Sequence, residues 1–274
     1  MRIAFTKMHG AGNDVIVFDA PTAAQLPSPA QFRALGDRRT GIGFDQAMVL
    51  MPPRAAGTAT YYRIFNADGG EVEQCGNGAR CVAALLRARG APAEFTMDSA
   101  GGRVFARVLA PDRVSIDMGV PDFAPATLPF ITPAAAATYQ LALDGDTVEF
   151  GAVSMGNPHV VLRVADVAAA PVERLGRALQ ARPEFPRQVN VGFMQVVDAA
   201  HIRLRVYERG VGETLACGTG ACAAVAHGRQ LGLLGPAVEV HVPGGRLGVN
   251  WQGAGQPVWL TGPAEVAFRG EVEI

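Results

Sequence analysis

The chain has 274 residues, room for about two domains of ordinary size, and its 24 basic and 25 acidic side chains leave a formal charge of -1. That balance excludes a global field for nucleic acid or an anionic membrane surface. Although 49% of the residues are hydrophobic, no uninterrupted apolar run approaches the roughly 18 residues of a spanning helix, and Lys7, the only lysine, is the only possible Schiff-base lysine.

In chain order, residues 1–7 carry neither the apolar stretch nor the small-residue cleavage site of a secretory leader, which predicts a cytoplasmic protein whose four cysteines stay reduced. Asn13-Asp14 after Gly10-Ala-Gly12 reads by default as a turn, residues 21–29 and 52–58 as loops, and Phe65-Asn-Ala-Asp-Gly-Gly as another turn. Residues 75–89 have a helical pattern, and residues 103–108 and 114–118 alternate as strands do. The Ala/Pro-rich stretch 121–137 reads as a linker and marks the domain boundary. Beyond it come a turn at Asn157-Pro158, a strand at 160–164, a helix at 172–180 and a strand at 202–207. Glu208-Arg209 follows as a solvated loop pair by default, then a helix at 217–231 and strands at 238–242 and, in pieces, 258–273. Short strands with few helices predict an α+β fold.

The two clearest helices open alike. Cys75-Gly-Asn-Gly-Ala and Cys217-Gly-Thr-Gly-Ala share the form C-G-x-G-A, 142 residues apart, about half the chain. Two similar halves, each with one such helix among strands, are the simplest organisation. A cysteine just before a helix meets unsatisfied backbone N–H groups and the positive end of the helix dipole, both of which favour a thiolate. The glycines let a carboxylate approach the backbone closely. Two such motifs facing each other would give a base on one side of a carbon and an acid on the other, the requirement for inverting a stereocentre by proton transfer. Donors at the helix ends would stabilise the developing carbanion through its carboxylate, and no metal or organic cofactor is needed.

The bland reading is that a buried cysteine and a glycine-rich helix start only permit close packing; it is preferred for one isolated motif and loses to the functional reading for a matched pair. Cys81 and Cys222 stand inside the helices without the C-x2-C spacing of zinc sites and read as packing residues. Gly218, Gly220 and Ala223 also fit G-x-G-x-x-A with Glu239 downstream, so a dithiol oxidoreductase or dinucleotide-binding protein is an alternative from another class. It is weakened because Glu213-Thr-Leu-Ala separates the glycines from the preceding strand.

Gly10-Ala-Gly-Asn-Asp14, Arg39-Thr-Gly-Ile-Gly-Phe-Asp-Gln46, Phe65-Asn-Ala-Asp-Gly-Gly, Cys75-Gly-Asn-Gly-Ala-Arg-Cys81, Gly156-Asn-Pro-His-Val160 and Tyr207-Glu-Arg-Gly-Val-Gly-Glu-Thr-Leu-Ala-Cys-Gly-Thr-Gly220 together resemble the diaminopimelate epimerase family over nearly the whole chain. The resemblance implies a cofactor-independent isomerase, without a metal, that interconverts LL- and meso-diaminopimelate in lysine and peptidoglycan precursor biosynthesis. It implies two pseudo-symmetric lobes, each a β-barrel-like antiparallel sheet around a central helix, with the active site in the cleft between them. Residues 1–121, completed by 263–274, would form one lobe and residues 122–262 the other. By motif position Cys217 would take the proton from the LL isomer and Cys75 return it. Backbone N–H groups around Gly76-Asn77 and Gly218-Thr219 would hold the reacting carboxylate. Asn13, Gln46, Asn66, Asn157, Asn190, Glu208 and Arg209 would make the other substrate contacts, and His159 with Glu208 would adjust the thiol pKa values. A substrate polar at both ends suits Arg209 and these amides better than a proline racemase-like activity on another amino acid, the alternative within the same fold. The expected partner is a small-molecule substrate, with neither nucleic acid nor membrane, and the resemblance implies a homodimer. Val15 stands where an aromatic is expected, and Phe268 where relatives often carry a tyrosine associated with dimer contacts.

Overall fold

A computed structural model describes residues 2–143 and 145–274. The chain is α+β, with strands dominating and four α-helices among the described residues. It divides into two compact units, Met1–Asp117 with Thr261–Ile274, and Met118–Leu260. None of these helices is long and apolar enough to cross a membrane.

The first unit opens with the antiparallel pair β1 (Arg2–Gly10) and β2 (Asn13–Asp19). The helix α1 (Pro29–Gly36) carries the chain over to β3 (Gln46–Met51), parallel to β2, and β4 (Thr58–Asn66) returns antiparallel. The two-residue strand β5 (Glu71–Val72) pairs with the end of β4 and leads into α2 (Gly76–Ala88). After that helix β6 (Glu94–Ser99) pairs parallel with β4, followed by antiparallel β7 (Gly102–Ala110) and β8 (Arg113–Asp117). Phe32 of α1 stacks on Phe65 of β4 at 4.3 Å in the core.

The second unit adds β9 (Tyr139–Leu143) to β10 (Asp146–Ser154) and then repeats that order. β11 (Pro158–Arg163) is antiparallel to β10; α3 (Val172–Gln180) crosses to β12 (Asn190–Asp198), parallel to β11; β13 (His201–Glu208) returns antiparallel. The short β14 (Gly212–Thr214) leads into α4 (Gly218–Gln230), after which β15 (Ala237–Val242) lies parallel to β13, followed by β16 (Gly245–Trp251); β17 (Val258–Pro263) begins in this unit and ends in the first. Every residue of α4 from Gly218 to Gly228 is buried, as in a helix that runs through a core. In α2 the buried run is Asn77 to Leu85.

Two readings change here. The sheets are mixed rather than antiparallel, because each helix is the crossover that a parallel pair requires: α1 for β2/β3, α2 for β4/β6, α3 for β11/β12 and α4 for β13/β15. Residues 121–137 are also no free linker, since Leu128 and Phe130 are buried in the core of the second unit, where Phe130 stacks on Phe185 at 4.8 Å.

The last strand, β18 (Glu265–Glu273), pairs antiparallel with β1 from Arg2↔Glu273 to His9↔Glu265. The first unit is therefore assembled from both ends of the chain. On β18 Phe268 is 48% exposed and meets the ring of Phe5 edge-on at 5.9 Å.

Candidate active site

Cys75 and Cys217 occupy equivalent places. Each is the N-cap of the core helix of its unit, in extended conformation, with its sulfur accepting from the N–H three residues on: Gly78 at 3.2 Å and Gly220 at 3.4 Å. A thiol here does what Ser, Thr or Asp does at most helix starts, and it lies in the field of the helix N-terminus. The glycine at the third position leaves the space: a Cβ on Gly78 would stand 2.5 Å from the Met48 sulfur, and one on Gly220 3.0 Å from Val206 and 3.2 Å from the Cys217 sulfur. Gly76-Asn77 and Gly218-Thr219 supply the first backbone N–H groups of the two helices, which have no intrahelical acceptor.

In the first unit, Asn13 Oδ1 accepts from Asn77 Nδ2 at 3.2 Å and from the Cys75 thiol at 3.7 Å. Gln46 and Asn66 face each other across β3 and β4, with Gln46 Nε2 donating to Asn66 Oδ1 at 3.1 Å. Gln46 Oε1 is buried and no described residue donates to it, which leaves a buried acceptor unmet. Val15, fully buried, pairs with Gln46 in the parallel register.

In the second unit, Asn157 Nδ2 donates to Thr219 Oγ1 at 3.3 Å, and that hydroxyl lies 3.5 Å from the Cys217 sulfur. His159 Nε2 is 2.9 Å from Asn157 Oδ1, so the imidazole reaches the thiol through Asn157 and Thr219. Burial, reinforced by the Arg209 charge, pushes His159 down to about 3, which keeps it neutral at pH 7. Asn190, parallel to His159 on β12, donates to Pro158 O at 3.1 Å and accepts from the Arg209 backbone N–H at 2.9 Å. Glu208 ends β13 and accepts from the Thr214 hydroxyl. The exposed Arg209 guanidinium gives one of its five N–H groups to Arg187 O at 3.2 Å. Burial, then the Glu208 carboxylate, pushes the Cys217 thiol well up, against the pull of Thr219 and the Gly220 N–H. Cys81 and Cys222 are fully buried, and burial takes Cys81 up to about 12, as for inert packing thiols.

The two constellations correspond position by position. Register places Gln46 with Asn190 and Val15 with His159, so Asn13 matches Asn157. The β4 and β13 pairings place Asn66 with Glu208, and the helix starts place Asn77 with Thr219.

Two groups of residues were not singled out from the sequence. Arg63 grips Glu71 with two hydrogen bonds of 2.7 and 2.6 Å, and Arg205 grips Glu213 with two of 2.6 and 2.8 Å. Both pairs tie the strand before a cysteine to the long strand beside it, and both have the spacing R-x7-E-x3-C, an extension of the repeat visible in the sequence. The second group is Lys7, Asp14, Arg38 and Asp45 behind Asn13. Lys7 donates to Asp14 at 2.5 Å and to Gly43 O; Arg38 takes Asp14 with bonds of 2.9 and 2.8 Å and Asp45 at 2.7 Å. Burial alone would raise the Asp14 carboxyl, but the bonds from Arg38 and Lys7 hold it well below the usual range; burial and the Asp14 charge raise Asp45. The dinucleotide alternative finds no strand running into its glycines, since β14 ends at Thr214, and Glu239 is engaged by His241 at 2.6 Å.

The profile of the diaminopimelate epimerase family matches residues 5–124 and 151–267. Diaminopimelate epimerases from Thioalkalivibrio sulfidiphilus and Alkalilimnicola ehrlichii are 54% and 52% identical to this chain over 278 residues, covering 100% of both chains. Among solved structures, a hydroxyproline epimerase from Agrobacterium vitis matches with a TM-score of 0.72 at 17% identity, over 99% of this chain and 92% of that one. A phenazine biosynthesis protein from Bacillus anthracis matches at 0.68 and 16%, over 100% of each. At these identities the structural likeness speaks for the fold.

Proposed function

The chain belongs to the diaminopimelate epimerase family, which makes it an isomerase, and on that footing we propose that it interconverts LL- and meso-2,6-diaminopimelate by a two-base, cofactor-independent mechanism. Cys217, as thiolate, removes the α-proton of the LL isomer, and Cys75, as thiol, delivers a proton to the opposite face; the roles exchange in reverse. The observation that carries this reading is the placement of both thiols as N-caps of equivalent helices, each sulfur within reach of a helix N–H. Burial and Glu208 make a thiolate at Cys217 a stronger base than an exposed one, which suits a weakly acidic α-proton. Helix N–H groups at Gly76-Asn77 and Gly218-Thr219 take the negative charge that develops on the carboxylate. Asn13, Gln46, Asn66, Asn157, Asn190 and Arg209 bind the remaining polar groups of the substrate, while Glu208 tunes Cys217 and His159 acts on it through Asn157. The reading extends to lysine and peptidoglycan precursor synthesis by a cytoplasmic homodimer.

Proton NMR of LL-diaminopimelate in D2O with reduced enzyme tests it. Deuterium should enter the α-carbon as meso product forms, and Cys75→Ala and Cys217→Ala should each abolish turnover. Folded, reduced enzyme that catalyses no exchange would remove this substrate, and full activity in either variant would end the two-base scheme.

A further inference from the structure

Asn13 and Asn157 hold the same place in the repeat, yet they turn opposite ends of their amides toward the thiols. Asn13 presents its oxygen to Cys75. Asn157 presents its N–H2 to Thr219, whose hydroxyl hydrogen is then available to the Cys217 sulfur. Two exchanges at equivalent positions accompany the difference: Val15 stands where the second unit has His159, and Asp45, just before Gln46, where it has Val189, just before Asn190.

Chemistry fixes the Asn13 amide from both sides. Arg80, fully buried, can only donate, and it gives Nη2 to Asn77 Oδ1 at 2.7 Å, which leaves the Asn77 N–H2 facing Asn13 Oδ1. Ionised Asp45 can only accept, and its Oδ2 takes Asn13 Nδ2 at 2.8 Å while Arg38 and the Asp14 backbone N–H hold the carboxylate at 2.7 and 3.1 Å. Turning the amide over would set N–H2 against N–H2 and oxygen against carboxylate.

We infer that Asp45 is a positioning residue for Cys75: by holding the Asn13 N–H2 it keeps the Asn13 oxygen on the Cys75 sulfur as an acceptor, so that this sulfur is held as the proton donor of the pair. An acceptor at that distance favours S–H over the thiolate. The inference deepens the reading of Cys75 as the acid in the LL-to-meso direction, but its test needs no turnover, so the two can fail separately.

The test is iodoacetamide alkylation of the reduced full-length chain at one neutral pH, with Cys75 and Cys217 peptides quantified separately by mass spectrometry. Because the thiolate is the nucleophile, Asp45→Ala should speed Cys75 alkylation by about fivefold, the worth of one ordinary hydrogen bond, and leave Cys217 unchanged. Removing a negative charge would act on the sulfur without Asn13, so the comparison is repeated in an Asn13→Ala background, where the effect of Asp45→Ala should vanish. An unchanged Cys75 rate, the same acceleration with and without Asn13, or parallel acceleration of Cys217 would each overturn the inference. Asp45 is 44% exposed, so Asp45→Ala leaves the core intact; if its thermal midpoint nonetheless falls, the comparison is made with Asp45→Val, the residue type at the equivalent position of the second unit (Val189), which likewise cannot accept from Asn13.

Discussion

At the scale of single residues, the buried histidine beside Asn157 links the site to stability. His159 titrates at about 3 in the folded chain against an ordinary 6.5, so below pH 6.5 the unfolded chain binds the extra proton. Its contribution to stability is complete above pH 6.5 and is lost as the pH falls from there toward 3, at about 1.4 kcal/mol per pH unit. Urea unfolding should show a midpoint that drops from pH 6.5 to 5, and His159→Gln should flatten that drop; equal slopes in the two proteins would contradict the assignment. The thiols, His159 and the asparagines other than Asn190 were singled out in the sequence because each sits in a contiguous motif; Asn190 stands outside all of them. The Asp14, Arg38 and Asp45 cluster was not, because residues 14 and 45 meet only through the parallel pairing of β2 with β3. Pairing of that kind leaves no local spacing to read.

Among elements, the three helices with clear periodicity were read to within a residue, while α1 went unread: only its first residue, Pro29, falls in the stretch 21–29 read as a loop. Its signature is Ser28-Pro-Ala-Gln31, where Ser28 accepts from the Gln31 N–H and the Gln31 side chain returns to the Ser28 N–H at 2.8 Å. At eight residues it is too short for a periodic pattern. β2 and β3 escaped for a different reason: Val15 to Phe18 and Ala47 to Leu50 are buried throughout, and strands buried on both faces do not alternate. The Arg63–Glu71 and Arg205–Glu213 clamps belong to this scale, since each aligns a two- or three-residue strand that delivers a thiol to its helix. Half-exposed ion pairs contribute only about 0–1 kcal/mol to stability. Glu213→Gln, which leaves Arg205 its bonds to the Val167, Ala168 and Ala170 carbonyls, should therefore move the thermal midpoint by a few degrees at most while lowering kcat for α-proton exchange by about tenfold. Exchange within twofold of the parent would show that the clamp does not position Cys217.

For the molecule as a whole, the duplicated order of elements was foreshadowed by the two C-G-x-G-A motifs, but the crossover role of every helix was not, because strand direction leaves no mark in composition. The pairing of β18 with β1 makes the first unit depend on residues more than 250 positions apart. Deleting residues 264–274 should leave β1 with an unpaired edge. Hydrogen exchange would then find β1 and β2 unprotected while β11, β12 and β13 keep their protection; protection retained in β1 and β2 would show that the first unit stands without its last strand.

This closure also imposes an order on synthesis. A chain leaving the ribosome at roughly 5–20 residues per second has made all of the second unit, Met118–Leu260, before β18 exists. From the completion of Asp117 to the synthesis of Glu273 at the end of β18 is roughly 8–30 s at that rate. Throughout that interval the nascent β1 lacks the strand that will cover its outer edge, and an open strand edge of this kind is a template for pairing with another chain.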